Sequence, residues 1–235
     1  MSLLTLVEGV CDEVGIPRPS SVVGNTDPGV RQLLRLAQRE GKFLRSRHRW
    51  NKCLKEGTLT TLAAASQGTL ASIASDFDYL VGDTMWNRTT DRPIPAISPE
   101  QWQAYQANSV TGPFTKFRIQ QGTLYFFPTP TAGHSVAFEY MSKNFCESSG
   151  GTDQNAWAAD ADVGLLDEDL MGLGVVWRWK KAKGLEYGED FNEYETQVAN
   201  AISRDNPQPR LSLTKYRRAG RFIGEDSVPE GNWSI

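Results

Sequence analysis

Histidine and cysteine are scarce in this chain, at two and three of 235 residues. His48 and His134 have no further ligand-type side chain at helical or hairpin spacing, which argues against a metal centre or a histidine base and reads both as solvated polar positions. Cys11, Cys53 and Cys146 are odd in number and widely separated. They fit neither a disulfide framework nor a zinc spacing, and the expectation is buried free thiols in a reducing compartment. Phosphate-binding glycine loops, nucleophile elbows and zinc signatures are missing. No apolar run approaches the ~20 residues of a membrane span, and Met1–Glu8 has neither the basic start nor the small-residue cleavage site of a signal peptide. An excess of one charge is lacking too: 25 Lys and Arg against 28 Asp and Glu leave a net charge of -3. The resulting pI near 5.5 is not that of a generally basic nucleic-acid binder. The densest acidic group, Asp160, Asp162, Asp167, Glu168 and Asp169, lacks the glycine and terminal glutamate of a calcium loop. It reads as a complement to the positive pole of the helix that follows. Enzyme is therefore the weakest class, and no catalytic residue, metal or cofactor is assigned.

What is present is organised around residues 162–204, which read as two helices folded back on each other. The first is crowded with Leu165, Leu166, Leu170, Met171, Leu173, Val175, Val176, Trp177 and Trp179, then turns basic at Arg178, Lys180, Lys181 and Lys183 and stops at Gly184, a strong helix end. The second carries Tyr187, Phe191, Tyr194, Val198 and Ile202 as one apolar stripe. Trp177 and Trp179 are two positions apart and so point to nearly opposite sides at about 100° per residue. Burying each indole is worth roughly 1.5–3 kcal/mol, so both require cover. Either the helix lies at the centre of a helical module, the commoner destination for such residues, or its outer face meets another subunit.

Upstream, Leu3, Leu4, Leu6, Val7, Val10 and Val14 predict a short amphipathic helix ended by Gly15 and Pro17. Asp27-Pro28 supplies an N-cap carboxylate and a first-turn proline for a second helix running to about Arg47, with Val30, Leu33, Leu34, Ala37 and Leu44 on its apolar side. Its other face holds Arg31, Arg35, Arg39, Lys42 and Arg45. From Trp50 short alternating runs between glycine, aspartate and proline predict strands. Within them Ser98-Pro99-Glu100-Gln101 reads as a capping box, residues 114–127 as a hairpin turning at Gln120-Gln121-Gly122, and residues 135–141 as a further strand. The expected fold is α+β: a helical bundle built from both chain ends (1–50 and 148–206, the latter opening with a polar linker), an inserted small antiparallel β domain (51–147) and an extended tail (207–235). The tail keeps Leu211, Leu213, Tyr216, Phe222, Ile223 and Trp233 beside Arg217 and Arg218, apolar residues that a purely solvated tail would not be expected to keep. It reads as a segment that docks on a partner or neighbouring subunit.

Residues 117–144 resemble the β-hairpin signature of tailed-bacteriophage head-to-tail adaptor proteins. Residues 162–171, 174–184 and 191–195 resemble the helical part of the same family, and the order of modules agrees. The resemblance implies a structural virion protein at the head–tail interface, assembled in the host bacterial cytoplasm. Such adaptors form a ring, commonly of twelve copies, under the portal, extend the channel for genomic DNA and offer a platform to a downstream tail or nozzle protein. It implies an intersubunit role for the helix of Trp177, Arg178 and Trp179, a portal-binding role for the tail residues above, and a channel-facing role for Arg31, Arg35, Arg39, Lys42 and Arg45. The alternative from another class is a carbohydrate- or protein-binding module built on the β domain.

Overall fold

Two capped helices open the chain. In α1 (Leu3–Val14) the Ser2 hydroxyl accepts from Thr5 N at 3.3 Å while Thr5 Oγ1 accepts from Ser2 N at 2.8 Å, a reciprocal box that satisfies two donors of the first turn. In α2 (Pro28–Arg47) the Asp27 carboxylate takes the N–H groups of Gly29 and Val30 at 2.7 and 3.1 Å. The computed structural model describes residues 2–107, 112 and 114–205. The expected tail, with its candidate portal-binding residues, lies outside them.

A single 3₁₀ turn (Asn51–Cys53) leads into the strands β1 (Leu54–Thr60) and β2 (Ser66–Thr69), the short helix α3 (Leu70–Ile73), then β3 (Phe77–Leu80), β4 (Trp86–Asn87) and β5 (Arg92–Pro93). After α4 (Pro99–Ala107) come β6 (Lys116–Gln120), β7 (Thr123–Phe127), β8 (Ser135–Ser142), β9 (Cys146–Glu147), β10 (Asp153–Gln154) and β11 (Val163–Gly164). The chain ends its described part with α5 (Glu168–Lys183) and α6 (Gly188–Asp205). All the pairings between these strands are antiparallel, in three sheets ordered β1-β8-β4-β5 with β3 also on β8, β2-β7-β6, and β10-β9-β11. The molecule is thus α+β. The predicted hairpin turns where expected, with Gln121 at φ 49° and Gly122 at φ 72°, the left-handed pair a tight two-residue connection needs. The capping box at Ser98 is also present, with Gln101 N 3.2 Å from Ser98 Oγ.

Strand β8 separates two apolar clusters because its side chains alternate. Val136, Phe138 and Tyr140 pack with Phe117, Leu124 and Phe126 of the hairpin, whereas Met141 joins the helical cluster of Leu3, Leu33, Leu44, Phe145, Val175, Val176 and Tyr194. Helix α5 packs on α1, α2 and α6. Two expectations change. The linker after residue 148 is built structure: β10 and β11 both pair with β9, and Trp157 is buried edge-on against Phe145 at 5.8 Å. Asp160 and Asp162 do not serve the pole of α5. Asp160 accepts from Val22 N and Val23 N at 3.0 and 2.7 Å, and Asp162 from Ala158 N and Ala159 N at 2.7 and 2.8 Å. They pin loops whose backbone donors would otherwise be left without partners. Only Asp167 caps α5, accepting from Asp169 N and Leu170 N.

Asp76, in the turn before β3, ties the sheet together. Its carboxylate lies 2.7 Å from Lys55 Nζ and accepts from Tyr140 Oη and Ser142 Oγ, both at 2.8 Å; Lys55 also pairs with Asp153. Burial opposes the charge on Asp76, but the hydrogen bonds from Lys55, Tyr140 and Ser142 outweigh it and hold its pKa at about 2. A folded pKa below the unfolded one stabilises the fold fully above the ordinary carboxylate range and progressively less as pH falls toward 2, a loss of roughly 2 kcal/mol for this group. Urea unfolding at pH 5 and at pH 2.5 should therefore show a smaller acid-induced loss for Asp76→Asn than for the wild type. Equal losses would mean that this carboxylate is not held ionised by the fold.

Candidate functional site

The open face of α2 is the first feature with functional character. Arg31, Arg35, Arg39 and Lys42 follow at steps of four, four and three, fall on one stripe and are exposed. Like charges at this spacing repel one another by a few tenths of a kcal/mol per pair. The one acid of α2, Glu40, gives no relief, because it is buried on the opposite side. A shallow cavity of about 430 Å³ runs along Arg35, Leu36, Gln38, Arg39 and Lys42. Arg45 does not belong to this face. It is largely covered and lies 2.5 Å from Asp78 of β3, since its position on the helix turns it toward the sheet.

Glu40 is the centre of a buried polar node. The Arg178 Nε donates to Glu40 Oε2 at 2.6 Å, with Nη2 also 2.6 Å from that oxygen, and the Tyr194 hydroxyl donates to Oε1. One ion pair and one phenol thus join α2, α5 and α6. Burial, then the adjacent Glu40 charge and its hydrogen bond, push the Tyr194 phenol well up. The guanidinium of Arg178 also lies over the Phe43 and Trp177 rings at 4.9 and 4.3 Å from their centroids. Gly174 makes this approach possible, because a Cβ there would overlap the Glu40 carboxyl group. Gly41 does the same for the Phe145 ring.

Trp177 and Trp179 are 8% and 6% exposed within the single chain. Trp177 contacts Tyr187, just before α6, and Phe191 and Tyr194 on it, and Trp179 lies beside Gly29 with Lys183 over its ring at 4.4 Å. The cover that the sequence leaves open between two alternatives is supplied inside the protomer, so the burial of these indoles needs no second subunit. Arg178 is likewise engaged internally.

The model of the SU10 adaptor protein family matches residues 1–220. The chain belongs to that family. Its members are phage head-to-tail adaptors, so this SU10 adaptor family protein has a structural role in the virion. No curated protein matches the chain. Within the adaptor, Leu211, Leu213, Tyr216, Arg217 and Arg218 fall inside the family match and Phe222, Ile223 and Trp233 beyond it. No helix among the described residues is long and apolar enough to cross a membrane.

Sequence reasoning about the adaptor missed Glu40, Gly41 and Gly174. A signal was there: the apolar stripe of α2 steps from Ala37 to Leu44, and the turn it skips is filled by Glu40 and Gly41, an acid and a glycine on a core-facing side. His48 is not solvated as expected. Its ring packs edge-on against Trp50 at 5.1 Å and its Nε2 lies 3.4 Å from Asp205 at the end of α6. His134 Nδ1 lies 3.1 Å from Asn87 Nδ2. The three cysteines are buried and free, and burial pushes the Cys53 and Cys146 thiols up to about 11 and about 12.

Proposed function

We propose that this adaptor assembles as a multimeric ring beneath the portal, turns the basic stripe of α2 toward the passing genomic DNA, and presents a platform to the downstream tail protein. The observation that supports this most directly is the row Arg31, Arg35, Arg39 and Lys42, which has no ion-pair partner among the described residues, on a chain of head-to-tail adaptor lineage. A row of cations on a helix face meets phosphates without reading bases, which suits DNA that slides past whatever its sequence. Repetition around a ring multiplies contacts that are individually weak. The tail beyond residue 206, with Leu211, Leu213, Tyr216, Arg217, Arg218, Phe222, Ile223 and Trp233, is assigned to the portal, where aromatic and arginine anchors dominate binding. Trp177, Trp179 and Arg178 contribute to the seam between copies by fixing the shape of the helix that carries it.

Light scattering after size separation tests this, with the full chain alone and mixed with cognate portal rings. The full chain should join the portal in multiple copies. Removal of residues 207–235 should abolish that association while the thermal midpoint is retained. Failure of the full chain to associate at any salt concentration would overturn the adaptor reading, and unfolding of the truncated chain would return the tail to its own core.

A further inference from the structure

The side chains that meet around Glu40 leave two donors over. Arg178 reaches the carboxylate through Nε, 2.6 Å from Oε2, whereas its Nη2, equally close to that oxygen, completes no hydrogen bond. The indole Nε1 of Trp177 has no acceptor among the described residues either. Both side chains are covered, and a buried N–H without an acceptor destabilises a fold unless something else supplies one.

Both residues line a cavity of about 320 Å³ between α2 and α5, with Leu36, Arg39, Lys181 and Ala182 as its other walls. Arg39 and Lys181 are exposed, come from different helices, and meet no acid there among the described residues. Glu40 matches the charge of Arg178, so the cavity keeps two positive charges in excess. The donors converge on one indole, since Lys181 Nζ stands 5.8 Å and the Arg178 guanidinium 4.3 Å from the Trp177 ring centroid. The side chains of these walls offer donors and apolar surface, and no acceptor. What complements them is an anion whose acceptor oxygens spread from one centre, and a tetrahedral phosphate meets guanidinium, ammonium and N–H donors at once.

We infer that this cavity seats a phosphate group. Of the two sources, a DNA backbone and free phosphate, continuity favours the first. The adjoining cavity of about 430 Å³ shares Leu36 and Arg39 with this one and is lined by Arg35 and Lys42, so a strand lying along the stripe of α2 passes the seat. In that respect the inference rests on the DNA reading above, and it extends the contact from one helix to two. A seat of this kind positions a duplex without reading its sequence.

The indole N–H signal of Trp177, one of seven tryptophans, reports on the seat in nitrogen–proton NMR spectra of the full chain. Sodium phosphate, added at constant ionic strength against sodium chloride, should move that signal saturably. A short DNA duplex at low salt should move it too and compete with phosphate. Arg39→Gln with Lys181→Gln should weaken phosphate binding roughly tenfold or more at an unchanged thermal midpoint, because both positions are exposed. No saturable shift, an equal shift with chloride, or wild-type affinity in the double variant would overturn the seat. Saturation by phosphate with none by the duplex would keep the seat and overturn its DNA source. The stripe is tested separately: duplex affinity unmoved by Arg31→Gln with Arg35→Gln would overturn the stripe reading while the seat stands.

Discussion

Glu40→Ala should lower the free energy of unfolding by roughly 3–5 kcal/mol, the range seen when one partner of a buried ion pair is removed. The Glu40 side chain is fully buried and that of Arg178 is 8% exposed, so the substitution leaves a guanidinium enclosed without its anion and takes the acceptor from the Tyr194 hydroxyl. The surrounding rings of Phe43 and Trp177 soften the loss but cannot replace a carboxylate. Replacing both members by methionine should cost much less, because the charges themselves carry a desolvation penalty that the pair only offsets. Urea unfolding at pH 7 measures both. A loss below about 1 kcal/mol for Glu40→Ala would show that water reaches Arg178 and that the node is not sealed.

Gly174→Ala should be nearly as damaging, although alanine is the better helix former. The new methyl would occupy space held by the Glu40 carboxyl group, and overpacking of this kind costs roughly 1–3 kcal/mol. The upper end is expected here, since the displaced atoms belong to the ion pair. In a Glu40→Ala background the obstruction is gone, and the same substitution should turn neutral or stabilising by up to about 1 kcal/mol from helix propensity alone. A double-mutant cycle reads this change of sign. Additive effects would place the methyl elsewhere than against Glu40.

Both predictions concern residues that local pattern did not single out, and the reason is physical. Helix ends are local events. The Asp27 cap and the cationic last turn before Gly184 involve residues within one turn of each other, so α2 and the end of α5 were legible, as were α6 from its apolar stripe and the 114–127 hairpin from its turn; the start of α5 was not, because Leu165 and Leu166, read into that helix, precede its Asp167 cap. Periodicity also shows which side of α2 faces inward. It does not show that the place between Ala37 and Leu44 holds a charge whose partner is 138 residues away. Arg45 shares a helix with the basic stripe, and only the position of Asp78 on another element separates the two. Asp160 and Asp162 precede a helix and so resemble pole-compensating acids, whereas their partners are backbone donors fixed by loop packing. As for the candidate site, the stripe of Arg31, Arg35, Arg39 and Lys42 could be read from spacing. The cavity of about 320 Å³ that Leu36 and Arg39 line with Trp177 and Lys181 could not, being formed by two helices far apart in sequence.

The same long separations bear on how the chain comes into being on the ribosome. Leu3 N donates to Asp162 O at 2.8 Å and Val22 N to Asp160 Oδ1 at 3.0 Å, so α1 and α2 emerge long before the segment that covers them. The sheet can close in the interval, because β1 and β8 pair along seven residues and both precede α5. The helical cluster has to wait for α5, since contacts this distant in sequence form late. An unfinished chain therefore lacks the cavity that Leu36 and Arg39 of α2 line with Trp177 and Lys181 of α5, and this face of the protein takes shape only once translation has passed α5.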